Sequence, residues 1–177
     1  MVALTRAACL QAADLPTVGQ PPAALSVDAW VKGDPIEKFQ PGTAYLVEFW
    51  GTWCGPCIQS IPHLTDLQRR HRDKNFVVIG VASHEFEGGI DKVKKFVAEQ
   101  GDKMDYRIAY DGDLSMEKSW DTGGKEGVVF RMPIGFLLDP AGRIAWIGHP
   151  ADSSLDAAIT AVLKSPARLD KDSTKAK

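Results

Sequence analysis

Cys54 and Cys57 stand three residues apart in "FWGTWCGPCIQSIPHL", residues 49–64, and Cys9 is the only other cysteine among 177 residues. A close pair of thiols offers three chemistries: a redox couple, half of a metal site, or a structural cross-link. A zinc site needs two further ligands, usually a second close pair. His63, His71, His84 and His149 supply no such pair, so no metal is expected. A purely structural disulfide closing so short a loop gains little from chain entropy, which grows with loop length. A redox couple is the reading that needs both cysteines at this spacing.

Such a couple works when a helix start positions it. Ile58, Ile61, Leu64 and Leu67 recur every three residues and predict one apolar helix face from Pro56 to about Arg72. Cys54 then lies at the mouth of the helix and Cys57 one turn in, close enough for the ~4.4–6.8 Å Cα separation a disulfide requires. Pro56 suits the first turn, where its missing N–H costs nothing. Gly55 permits a tight turn and leaves the sulfur approachable. Free N–H groups and the helix dipole stabilise a thiolate at this end, so the Cys54 pKa is expected to be lowered. Cys57, on the helix and more buried, is expected to stay a thiol until Cys54 has reacted. Pro62 inside the same pattern removes one backbone bond and predicts a bend.

The elements around the pair alternate. "LSVDAWVKG" predicts a strand ending at Gly33, and "YLVEFW" a short strand at 45–50. "FVVIGVA", 76–82, is a β-branched run expected to be buried on both faces. "IDKVKKFVAEQG" predicts an amphipathic helix with Ile90, Val93, Phe96 and Val97 inward, stopping at Gly101. "DYRIAYD" reads as a strand, "LSMEKSW" as a short helix and "DTGGKEG" as a loop. "IGFLLD" and "RIAWIGH" around "PAG" predict a hairpin, and "SSLDAAITAVLK" a closing helix with Ser or Asp near its start. This order predicts an α/β domain with a mixed sheet and helices on both faces. Its bounds are read as 25–164, after a flexible segment at 1–24 rich in Pro and Gly and before a disordered charged tail at 165–177.

Glu48 interrupts an otherwise apolar strand. A buried carboxylate is costly without a partner, so its pKa should rise, and a neutral acid near a buried thiol can exchange protons with it. The competing reading is a strand-end Glu reaching water. Trp50 should be core and Trp53 partly exposed. His84 and Glu85, just past 76–82, read as a solvated loop that could alternatively line a groove beside Cys54.

"WCGPC", 53–57, after a buried strand and opening a helix, resembles the thioredoxin signature, and "FWGTWC" resembles the TlpA/ResA-like (redoxin) branch of that superfamily. Pro62, five residues past Cys57, Glu48, six before Cys54, and "MPIGFLLDPAGRIAWIGH" match further features of the branch. The likeness covers about residues 25–164. It implies a thioredoxin fold with an N-terminal extension and a thiol-disulfide oxidoreductase acting on protein disulfides. By the same resemblance Cys54 is the nucleophile, Cys57 resolves, and Glu48 serves Cys57 as a proton carrier. Pro133 is the implied cis-proline, Met132 pairs with the partner chain by its backbone, and Trp53, Gly55 and Pro56 form part of the binding surface. No cofactor beyond the Cys54–Cys57 couple is implied. Arg131 departs from the glycine usual in the branch, and Ile134 and Gly135 stand where Thr is common, which bears on partner choice. Gly-Pro between the cysteines resembles reducing thioredoxins, so the expected direction is that of a reductant with its own upstream electron donor.

Net charge is −2, which gives no reason to expect nucleic acid as a partner, and no apolar run approaches the ~18 residues of a membrane span. A monomer is expected. Two other functions fit some of the residues: a peroxidase of the same fold, whose Thr-x-x-Cys pattern is missing, and a binding module with an inert disulfide. The branch usually works outside the cytoplasm, in periplasm or cell envelope. The Ala-rich start with Arg6 is a poor export signal and keeps the cytoplasm open, and Cys9 reads as an incidental thiol.

Overall fold

The β-branched run becomes β3 (Phe76–Ser83), third from one edge of a six-stranded sheet. The computed structural model describes residues 16–120, 122 and 131–165. Cys9, the loop at 121–127 apart from Thr122, and the tail past Ser165 lie outside the described residues. Across the sheet the order is β1 (Ala29–Lys32), β4 (Arg107–Asp111), β3, β2 (Ala44–Trp50), β5 (Ile134–Leu138) and β6 (Ile144–Gly148). β2, β3 and β4 are parallel, whereas β1, β5 and β6 each run antiparallel to their neighbours. Helical crossovers make the parallel part possible: α1 (Gly55–Arg70) joins β2 to β3, and α2 (Gly89–Gln100) joins β3 to β4. The predicted hairpin is β5–β6.

Side chains alternate across β2 and divide the interior in two. Leu46 and Trp50 face Ile61, Leu64 and Leu67 of α1, Val93 and Val97 of α2, and Leu155 and Ile159 of α4 (Ser154–Lys164). Tyr45, Val47 and Phe49 face Met116 of α3 (Ser115–Ser119), Trp120 and Phe136, with Leu25, Val27 and Phe39 closing that side. Among the described residues helices thus cover both faces, unequally: three long ones on one, a single short one on the other.

The first strand is shorter than its sequence pattern, and the predicted short helix forms. β1 covers only Ala29–Lys32, and its pairing with β4 shifts register between Trp30 and Lys32. α3 begins from Leu114 in the left-handed region at φ 61°, with no cap from that residue. The buried Asp111 instead accepts from the N–H groups of Met116 and Glu117, at 3.2 and 2.8 Å, and so supplies the missing cap.

Residues 16–24, read as part of a flexible lead, hold bonded positions. The Gly19 N–H donates to the Ile144 carbonyl at 2.7 Å, and Ile144 N–H donates to the Gln20 carbonyl at 2.9 Å. Trp120 Nε1 donates to the Ala24 carbonyl at 3.0 Å. The packed unit therefore starts before residue 25.

Candidate functional site

Register brings three chain segments to one edge of the sheet. Trp50, the last residue of β2, pairs with Ala82, so the chain leaving β3 emerges beside the chain leaving β2. β5 runs the other way and starts opposite Phe49, so Arg131–Pro133 enter at the same place. Gly51–Cys57, His84–Phe86 and Arg131–Pro133 converge there.

Cys54 and Cys57 form a disulfide with a Cα separation of 5.2 Å. Cys54 is the N-cap of α1, and its Sγ accepts the Cys57 N–H at 3.3 Å. An orphan amide of the first helical turn therefore points at the sulfur that would carry charge on reduction. Pro56 lies in that first turn, where a missing N–H leaves nothing unpaired. Cys54 is 4% exposed and Cys57 1% exposed, and both belong to the α1 core. Pro62 lies inside α1.

Glu48 is 1% exposed, which excludes the reading of a strand-end acid in water. It shares a sheet face with Leu46 and Trp50, the face whose core includes both cysteines. Its cross-strand neighbours are both glycine, Gly80 on β3 and Gly135 on β5. Aromatic rings occupy the space that side chains there would take. A Cβ on Gly80 would meet Trp50 Nε1 and Tyr106 Cε2, each at 3.1 Å, and one on Gly135 would meet Trp146 Cζ3 at 3.2 Å. The carboxyl is buried, its Oε1 has no hydrogen-bond partner among the described residues, and burial pushes its pKa well up. Burial, and secondarily the Glu48 charge, likewise raises the Tyr106 phenol.

The other sequence-predicted residues surround the disulfide. Gly55 and Pro56 are exposed, Met132 is half-buried, and Pro133 is buried behind a cis Met132–Pro133 peptide. Met132 packs against both cores. Trp50 is core and Trp53 is 39% exposed. Gly51 has a steric duty toward Trp53: a Cβ there would lie 2.7 Å from the indole Nε1.

His84 and Glu85 do not form a solvated loop. The Glu85 side chain has no exposed surface. Its Oε1 accepts the Thr52 N–H and its Oε2 the Thr52 hydroxyl, both at 2.6 Å. Lys92 Nζ stands 3.5 Å from Oε2. Trp53 Nε1 donates to the His84 carbonyl at 2.7 Å, and the His84 ring meets Glu117 of α3 at 2.7 Å. Residues 52–53, next to Cys54, are thus fastened to residues 84–85. Sequence patterning missed this because an acid just past a strand reads as solvated. The one signal was position, at the carboxyl end of a parallel strand beside Cys54.

A mixed sheet with a disulfide at the start of its first long helix defines a thioredoxin-like protein. The redoxin family profile matches residues 16–163, and the chain belongs to the redoxin family. Among relatives, FixW of Rhizobium leguminosarum is 30% identical over 135 residues, covering 74% of this chain and 60% of that protein. The thiol-disulfide oxidoreductase ResA of Bacillus anthracis is 28% identical over 115 residues, 64% of this chain and again 60% of the relative. A thiol:disulfide interchange protein of the thioredoxin family from Chlorobium tepidum superposes with a TM-score of 0.62 at 24% identity, over 81% of this chain and 96% of that one. A thiol-disulfide isomerase from Corynebacterium glutamicum gives 0.65 at 21%, over 84% and 99%. These two structures speak to the fold.

Proposed function

We propose that the chain is a thiol-disulfide oxidoreductase that reduces disulfides of protein partners. The observation that carries this reading is Cys54 at the N-cap of α1 with the Cys57 amide directed at its sulfur. In the reduced protein the Cys54 thiolate attacks one sulfur of the partner disulfide. That S–S bond breaks, a mixed disulfide forms, and the displaced partner sulfur leaves as a thiolate that takes up a proton. Cys57 then loses its proton and attacks Cys54 Sγ. The mixed disulfide breaks, the second partner sulfur leaves and is protonated, and the Cys54–Cys57 bond re-forms. Two electrons pass to the partner, and an upstream thiol donor must restore the pair.

Glu48 is suited to take the Cys57 proton. It faces the same core, and its raised pKa makes it a stronger proton acceptor than an ordinary carboxylate. Trp53, Gly55, Pro56 and Met132 form the surface on which the partner would lie, with the buried Pro133 positioning Met132, which offers its backbone as a strand partner. Among the described residues no helix is long and apolar enough to cross a membrane. The likeness to the TlpA/ResA branch supports work outside the cytoplasm.

Anaerobic mixing of the pre-reduced protein with insulin tests the activity. One insulin disulfide should be lost for each Cys54–Cys57 bond formed. Unchanged insulin after prolonged mixing would contradict the reading.

A further inference from the structure

Among the described residues only three large apolar side chains are well exposed: Val18, Trp53 and Phe86. Two of them touch. The Trp53 and Phe86 rings lie 5.4 Å apart between centroids, tilted by 50°. Phe86 is 70% exposed, beside the one place where a partner sulfur must come. We propose that Phe86 and Trp53 form a preset apolar platform that receives an apolar side chain flanking the reacting cysteine of an extended partner polypeptide. This rests on the redox reading above and names the kind of partner it takes.

The platform is held in place before any partner arrives. Trp53 is tied to the His84 carbonyl, and Thr52 is tied twice to the Glu85 carboxylate, a side chain with no exposed surface. His84 adopts φ 54°, uncommon for a residue with a side chain, while its ring contacts Glu117. Strain of this kind persists where surrounding contacts over-determine the backbone. A surface already ordered loses little entropy when a partner binds.

Chemistry selects the occupant. The only hydrogen-bond donor of the Trp53 ring is already engaged by His84. Phe86 has none, so the exposed surface of both rings offers apolar contact alone. Nearby charges are mixed, with Glu87 and Asp91 against Lys92 and Lys95, and favour neither sign of partner. Reach is fixed by covalent geometry. The partner sulfur must come to about 2.05 Å from Cys54 Sγ. Residues of an extended segment advance about 3.3–3.6 Å each. A side chain one or two residues from that cysteine therefore stays within reach of Trp53, which adjoins Cys54 in the chain.

The test uses the reduced full chain and two disulfide-linked peptides, identical except for Leu or Ser on both sides of the cysteine, with hydroxyethyl disulfide as a small reference substrate. Wild type should prefer the Leu peptide by about five- to tenfold in kcat/KM, mainly through KM, as expected when one aromatic anchor contacts an apolar side chain. Phe86→Ala should reduce that preference to near unity, and Phe86→Leu should restore part of it. Equal rates on the two peptides in wild type, or a preference unchanged in Phe86→Ala, would overturn the platform while leaving the redox reading intact. Wild type inactive even toward hydroxyethyl disulfide would overturn both.

Discussion

Cys54→Ser is expected to lower the reduction of protein disulfides by at least about 10³-fold, because the remaining thiol, Cys57, is buried inside the first turn of α1. Cys57→Ser should behave differently. Its backbone N–H remains to stabilise the Cys54 thiolate, since that contact is made by the amide and not by the side chain. The first attack therefore proceeds and the second does not. Mixing with a disulfide-bonded partner should then accumulate a stable covalent adduct, visible by mass and released by an added thiol. An adduct on Cys57 in the Cys54→Ser protein, at a rate matching the reciprocal experiment, would reverse the assigned roles. The greater burial of Cys57 argues against that outcome.

Glu48→Gln should slow the closing of the Cys54–Cys57 bond by roughly 10²-fold near neutral pH, the scale of a lost proton acceptor. The pH profile separates this role from a structural one. Without Glu48, closing depends on spontaneous ionisation of Cys57, so the rate should fall about tenfold for each pH unit below the thiol's own pKa. Wild type should be flatter over the same range, and the two should converge in alkali. Stability should change in the opposite sense. Burial raises the Glu48 pKa, so above the pH where a free carboxyl ionises the folded chain keeps a proton that the unfolded chain has lost. Stability from this group therefore falls as pH rises from the ordinary carboxylate range up to the folded pKa, with a slope approaching about 1.4 kcal/mol per pH unit. Below that range it contributes no slope. Glu48→Gln should lose this pH dependence and gain stability relative to wild type at higher pH, as read from urea midpoints. A variant that closes its disulfide at the wild-type rate would remove Glu48 from the mechanism.

The disulfide, its helix and the buried acid were legible in sequence because each leaves a local mark. Cys54 and Cys57 are separated by one helical turn, the spacing of Ile61, Leu64 and Leu67 marks the helix face, and Glu48 breaks an apolar run. The alternating order of elements likewise implied a mixed sheet. What was not legible depends on contacts between distant segments. Glu85 is a polar residue on a short loop, and only the pairing of β2 with β3 sets it against Thr52. Phe86 could as well have turned into the core. Gly80 and Gly135 gain meaning only when the strands that carry them flank Glu48. Residues 16–24 have the Pro and Gly content of a free lead, yet Gly19 and Gln20 find bonding partners on β6, more than a hundred residues away.

The measurement that bears most directly on the central claim is equilibrium titration of the Cys54–Cys57 couple in thiol redox buffers, with oxidation state read by alkylation and mass. One reversible two-electron transition is expected at or below about −250 mV, in the range of thioredoxin-like donors. A pair that stays oxidised in the folded protein across the whole buffer range would contradict it and leave the disulfide an inert cross-link.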